Sequence, residues 1–274
     1  METSAVVVML CVSFVAVFGN VRKKDLNRGM NELSESDYLQ ELPPKAKTAE
    51  KIHRFFLGGC AASIHPLWYA RDKSNTRKKR LVKSRNSYYD VAFLIDASGS
   101  IKEKDFYNGI KALNILITKA KISTKYAVIT FSEKGDIKSF FMWPPSKIRA
   151  VLKTTEYQGF RTNTQDALRK CRQGLFMNSS SGARRGSYKR VLIVTDGRSN
   201  IKNELTLYRA AKLKNYHIEI FVLAVGKYIQ GIDELAELAT SKQWHLFRVE
   251  TMEGLIEVVK MIPPNRIRTK VVIT

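Results

Sequence analysis

From Ser87 onward the sequence alternates short apolar runs with stretches of helical period, and this alternation limits the fold more than any other feature. Val91 to Ile95 is an unbroken apolar run of strand length, as expected of a strand covered on both faces. Phe106, Ile110, Leu113 and Ile117 then recur at helical spacing and make one apolar stripe. Tyr126 to Phe131 and Ile137 to Phe141 are two further strands separated by SEKGD, a connection short enough for a hairpin. Pro144-Pro145 starts a short helix, and another helical pattern runs through Leu168, Leu175 and Phe176. Val191 to Thr195 is the fourth strand. A helix over 203–214, a strand over 217–224, a helix over 232–240, a short strand over 245–249 and a helix over 252–261 complete the series. Strands that alternate with helices predict an α/β domain: a doubly wound, Rossmann-like, mostly parallel sheet with helices on both faces and one antiparallel edge strand from the hairpin.

The 274 residues, 44% of them hydrophobic, allow one sizeable core and an appendage. Four segments are expected. Residues 1–19 read as a signal peptide: Ala5 to Phe18 is almost unbroken apolar sequence, too short to span a bilayer, and Val17 and Gly19 meet the small-residue cleavage rule before Asn20. The charge order disagrees, because Glu2 precedes the run while Arg22, Lys23 and Lys24 follow it; the short length favours secretion. Residues 20–87 read as a polar, basic leader outside the core. Near its end Arg77, Lys78, Lys79 and Arg80 form a furin-type convertase motif, with a solvated basic linker as the alternative. Residues 88–262 are the domain, and 263–274 a basic tail.

Of three cysteines, Cys11 leaves with the signal. Cys60 and Cys171 could then pair, which would stabilise by about 4–5 kcal/mol if geometry allows; the alternative is that Cys171 is a small apolar residue on a helix. Asn178 opens an N-glycosylation sequon, NSS, in a loop rich in serine and glycine. The net charge of +22 and pI near 9.9 suit a partner such as a sulfated glycan or another acidic matrix polymer. Clusters at Arg169-Lys170-Arg172 and from Arg184-Arg185 to Lys189-Arg190 are the candidate contacts. Nucleic acid has the same electrostatics, but the signal peptide argues against it.

In such a sheet, ligands gather at the C-terminal ends of the strands. Three polar stretches fall there: DASGS after the first strand, RTNT before a helix, and TDGRS after the fourth strand. Asp96, Ser98 and Ser100 alternate, so a locally extended chain turns all three oxygen-bearing side chains one way. Thr162 and Asp196 approach from the other two loops. Two carboxylates and three hydroxyls, with no His or Cys, favour Mg²⁺ or Mn²⁺ over Zn²⁺, with water or an incoming ligand completing the shell. A serine nucleophile would need a nearby His, and none of the four His residues falls in these stretches. The remaining alternative is that these groups only cap helices and satisfy turns.

Asp96-x-Ser98-x-Ser100, Thr162 in FRTNTQDAL and Asp196 in VTDGRS resemble the metal-ion-dependent adhesion site (MIDAS) of von Willebrand factor type A domains, including those inserted in integrin α chains. The resemblance spans about residues 88 to 262, and all five motif positions match in order. ITFS, KRVLIVTDGRS and FVLAVG agree with it. It implies that the serines ligate the metal directly, that the aspartates act largely through water, and that the threonine moves with the ligand-bound state. It also implies a vacant position that accepts a carboxylate from a partner, a collagen-like or other matrix or cell-surface protein. The expected protein is a secreted, non-enzymatic adhesion or extracellular-matrix protein. Its rival is a structural matrix component that binds acidic glycans through its basic surface, with the metal site incidental.

Overall fold

The computed structural model describes residues 35–58 and 88–264. Six strands form one sheet: β1 (Tyr89–Asp96), β2 (Lys125–Phe131), β3 (Gly135–Ser139), β4 (Tyr188–Thr195), β5 (Ile218–Val225) and β6 (Leu246–Val249). Their order is β3-β2-β1-β4-β5-β6. Only the β2–β3 hairpin is antiparallel; the other four pairings are parallel.

The apolar runs become strands because both faces are covered. Along β1, Val91, Phe93 and Ile95 enter one core, while Ala92 and Leu94 enter the other. The first core is closed by α3 (Glu103–Lys119), α4 (Pro145–Lys153) and α9 (Met252–Met261), through residues such as Phe106, Leu113, Ile148, Leu255 and Val259. The second is closed by α5 (Thr164–Lys170), which runs on as a wider helical turn over Cys171–Phe176, by α6 (Thr206–Asn215) and by α7 (Ile232–Leu238). A short α8 (Lys242–His245) leads into β6. Among the described residues no helix is long and apolar enough to cross a membrane.

The structure departs from the expected leader at residues 35–58. This segment forms α1 (Glu35–Gln40) and α2 (Lys45–Lys51), which continues as a wide turn over Ile52–Phe56. Ile52, Phe56 and Leu57 are buried in the first core, and Leu39 belongs to the second. Phe56 packs edge-on against Phe221 at 5.1 Å, and its carbonyl accepts from Arg190 Nη1. Thr48 Oγ1 and Lys51 Nζ donate to Arg248 O and Leu246 O, covering the outer edge of β6. A basic composition concealed a helix whose apolar positions are needed to close the core and protect a strand edge.

Cys171 is a free, fully buried thiol in the second core. Its candidate partner, Cys60, lies outside the described residues. So do the apolar run at 5–18, the basic motif at 77–80 and the tail from 265.

The two basic clusters are in part structural. Arg184 pairs with the fully buried Asp90 through Nη2 at 2.6 Å and Nε at 2.8 Å. Arg190, itself buried, pairs with Glu219 at 2.8 Å. Arg169 and Lys170 lie 2.5 and 3.6 Å from Asp166. These guanidinium and ammonium groups satisfy carboxylates of the fold, so less of the clusters' charge is free for an external polyanion than the sequence suggested.

Candidate metal site

The chain leaves β1 toward β2 on one side and returns to β4 on the other, which makes the C-terminal ends of β1 and β4 the switch point of the sheet. Asp96 is the last residue of β1, and Asp196 follows the last residue of β4.

Four of the five expected residues join in one hydrogen-bonded array. Asp96 Oδ1 accepts from Ser98 N at 3.0 Å, turning the DASGS loop back over the strand end. Ser98 Oγ lies 3.0 Å from Ser100 Oγ. Ser100 Oγ donates to Asp196 Oδ1 at 2.8 Å. Asp96 and Ser98 are buried, whereas Ser100 is exposed and Asp196 half-buried, so the array opens to solvent on one side.

Thr162 is brought between the same loops by its backbone. Its N–H donates to Asn200 Oδ1 at 2.8 Å, and its carbonyl accepts from Asn200 N at 3.0 Å and Ile201 N at 3.1 Å. The preceding segment bridges to DASGS: Gly99 N donates to Phe160 O at 2.7 Å and Gly159 N to Ala97 O at 2.9 Å. This approach requires glycine at 99, since a Cβ there would lie 2.7 Å from Gly159 O. Asn163 then caps α5, its side chain accepting from Asp166 N at 3.3 Å.

Three residues that the sequence reading left out also shape the site. Thr195 Oγ1 donates to Asp96 Oδ2 at 2.6 Å and fixes that carboxylate from the neighbouring strand. Asn200 holds Thr162 as described, and Ser199 Oγ donates to Thr162 O at 3.2 Å. The signal for Thr195 was a hydroxyl at a strand end beside a strand that ends in Asp. It becomes readable only once β1 and β4 are known to be neighbours.

Burial pushes the Asp96 carboxyl up to about 6 despite its hydrogen bonds from Ser98 and Thr195, and the nearby Asp196 adds to the rise. Burial also raises Asp196. Among the described residues no group of three or more His, Cys, Asp or Glu gathers as a metal cluster, so an ion here would rest on hydroxyls as well as carboxylates. The donor set suits a small hard cation. An octahedron with metal–oxygen distances of about 2.1 Å has neighbouring oxygens about 3 Å apart. The Ser98–Ser100 separation of 3.0 Å matches that edge, and Ser100 also bonds the Asp196 carboxylate at 2.8 Å.

A doubly wound α/β domain carrying an oxygen-lined, partly open site at its switch point is the class that fold and site define. The von Willebrand factor type A domain model matches residues 90–260, and the chain belongs to that family. It is 28% identical over 182 residues to integrin alpha-X of Homo sapiens, a match covering 62% of this chain and 15% of the integrin. It is 29% identical over 160 residues to matrilin-1 of Bos taurus, covering 57% and 28%. The chain thus spans less than a third of these curated relatives. The fold is shared with proximal thread matrix protein 1 from the mussel byssus, with a TM-score of 0.59 at 19% identity over 65% of this chain and 47% of that one. Another structure of the mussel protein has its MIDAS motif occupied by zinc.

Proposed function

We propose that this chain is a secreted adhesion or matrix protein, without catalytic activity, that binds a partner protein through a divalent cation, Mg²⁺ or Mn²⁺. Asp96, Ser98, Ser100, Thr162 and Asp196 are the residues that would hold the ion. When bound, it supplies a positive centre with an open coordination position for a carboxylate of the partner. The protein's part is to aim Ser98 and Ser100 with the DASGS turn, to fix Asp96 through Thr195, and to keep Thr162 on a loop tied to Asn200.

The observation that carries this reading is the run of oxygens from Ser98 through Ser100 to Asp196, gathered at the switch point and open on one side. The family relatives, an integrin, matrilins and a collagen chain, are adhesion and matrix proteins, and this supports the same reading. Secretion rests on the apolar run at 5–18 and fits a glycan on Asn178. That side chain caps the turn over Ser179–Ser181 by accepting from Ser180 N at 3.0 Å.

Solid-phase binding of the full chain to collagens, other matrix proteins and heparin tests the proposal, in Mg²⁺ and in chelator, at low and physiological salt. Chelator-sensitive binding to a protein is the expected result. Binding that ignores chelator and is lost with salt would place the function in the basic surface instead.

A further inference from the structure

A second cavity lies away from the switch point, where the N-terminal helices meet the outer edge of the sheet. It is a cleft, open to solvent on one side, of about 450 Å³ between the α1–α2 turn, α2 and β6, a volume in the range of small-molecule sites. Leu39, Pro43, Pro44, Leu246 and Phe247 give it apolar walls, and Lys47, Lys51, Lys242 and Arg248 bring four cations to it against one carboxylate, Glu41. Residues 39–51 precede the segment matched by the family model, so one wall of this cavity comes from outside the family domain.

Lys47, Lys51 and Arg248 are held in place without anions. Arg248 is buried, and its guanidinium donates only to neutral oxygens: Leu39 O at 3.2 Å, Ala224 O, Gln40 O and Lys227 O at 3.3 Å each, and Gln40 Oε1 at 3.5 Å. Those bonds occupy most of its N–H groups, so it contributes field more than contacts. Lys51 Nζ gives one bond to Leu246 O at 2.7 Å and sits 5.7 Å from the centre of the Phe247 ring, which leaves two donors uncommitted. Burial and the neighbouring Lys47 lower its pKa to about 8. Among the described residues neither Lys47, Lys51 nor Arg248 forms an ion pair. Lys47, Lys51 and Arg248, unpaired beside apolar walls that carry one carboxylate, Glu41, leave an excess of positive charge that suits an anion.

We propose that this cavity binds a small soluble organic anion, with its charged group at Lys47 and Lys51 and its apolar body against Leu39, Pro44 and Phe247. Calorimetry and backbone-amide NMR on the full chain test this, with 4-phenylbutyrate, its neutral amide and inorganic sulfate as probes. The acid is expected to bind about tenfold or more tightly than the amide, to bind more tightly than sulfate, and to shift the amide signals of residues 47–51 and 246–248. Lys51→Gln should reduce binding about tenfold. Lys47→Gln, at an exposed side chain that makes no bond in the fold, should weaken it severalfold with the melting temperature unchanged, and it decides the matter if Lys51→Gln does not fold. Equal binding of acid and amide, signal shifts elsewhere, or affinity unchanged in Lys47→Gln would overturn the proposal.

Discussion

Ser100 Oγ donates a 2.8 Å hydrogen bond to Asp196 Oδ1, joining two loops whose residues lie 96 positions apart in sequence. The bond exists because β1 and β4 are parallel neighbours that end together, so the loop following each emerges at the same edge of the sheet.

Because Ser100 is exposed, its removal should separate function from stability. Ser100→Ala is expected to cost about 1 kcal/mol or less in urea unfolding while abolishing Mg²⁺-dependent binding to the partner. Parallel loss of both would mean that the hydroxyl is structural.

Gly99 tests the loop rather than a ligand. The added Cβ of Gly99→Ala would meet Gly159 O and push the 157–162 loop away from DASGS. Metal affinity should drop severalfold or more, with a destabilisation of about 1–3 kcal/mol, both read in one thermal-shift titration with Mg²⁺.

The N-terminal segment should behave as part of the domain. Phe56 is 2% exposed between the sheet and its helices, so Phe56→Ala is expected to cost about 3–5 kcal/mol. For the same reason a single cut after Arg80 should leave residues 35–58 associated with the remainder, and the two pieces should co-elute in size-exclusion chromatography. Separation of the pieces without unfolding would contradict the packing.

Acid stability should depend on Glu219. Burial acts to raise its pKa, but His245, 3.9 Å away, and the bonded Arg190 outweigh burial and hold it at about 2 against an ordinary 4.5. Its folded pKa lies below its unfolded one, so its contribution is complete above about pH 4.5 and fades as pH falls toward 2. Glu219→Gln should remove up to about 3 kcal/mol of this acid dependence. Denaturation midpoints measured from pH 2 to 6 would show a shallower slope for the variant.

The parallel strands were legible because each is a largely apolar run bounded by polar turns, whereas β3, GDIKS, is mostly polar and lies at Gly135–Ser139, two residues before the expected 137–141; the helix over Met252–Met261 was read to its ends, having a strong apolar stripe and Pro263-Pro264 behind it. The site positions were legible as a pattern, since alternation in DASGS and the strand-end placement of Asp196 are local. Two things were not. Ile52, Phe56 and Leu57 sit in EKIHRFFLGG, where basic neighbours and a following Gly-Gly read as linker. Their burial depends on a cleft that only the assembled sheet creates. Likewise Arg184 and Arg190 read as surface charge, because their partners Asp90 and Glu219 are 94 and 29 residues away.

The central claim is that five side chains hold one divalent ion, and a calorimetric titration of the full chain with Mn²⁺, repeated on Ser98→Ala and Asp196→Ala, tests it most directly. The account predicts one equivalent bound by the native chain and none by either folded variant. Binding of equal strength in all three, or none in the native chain, would contradict it.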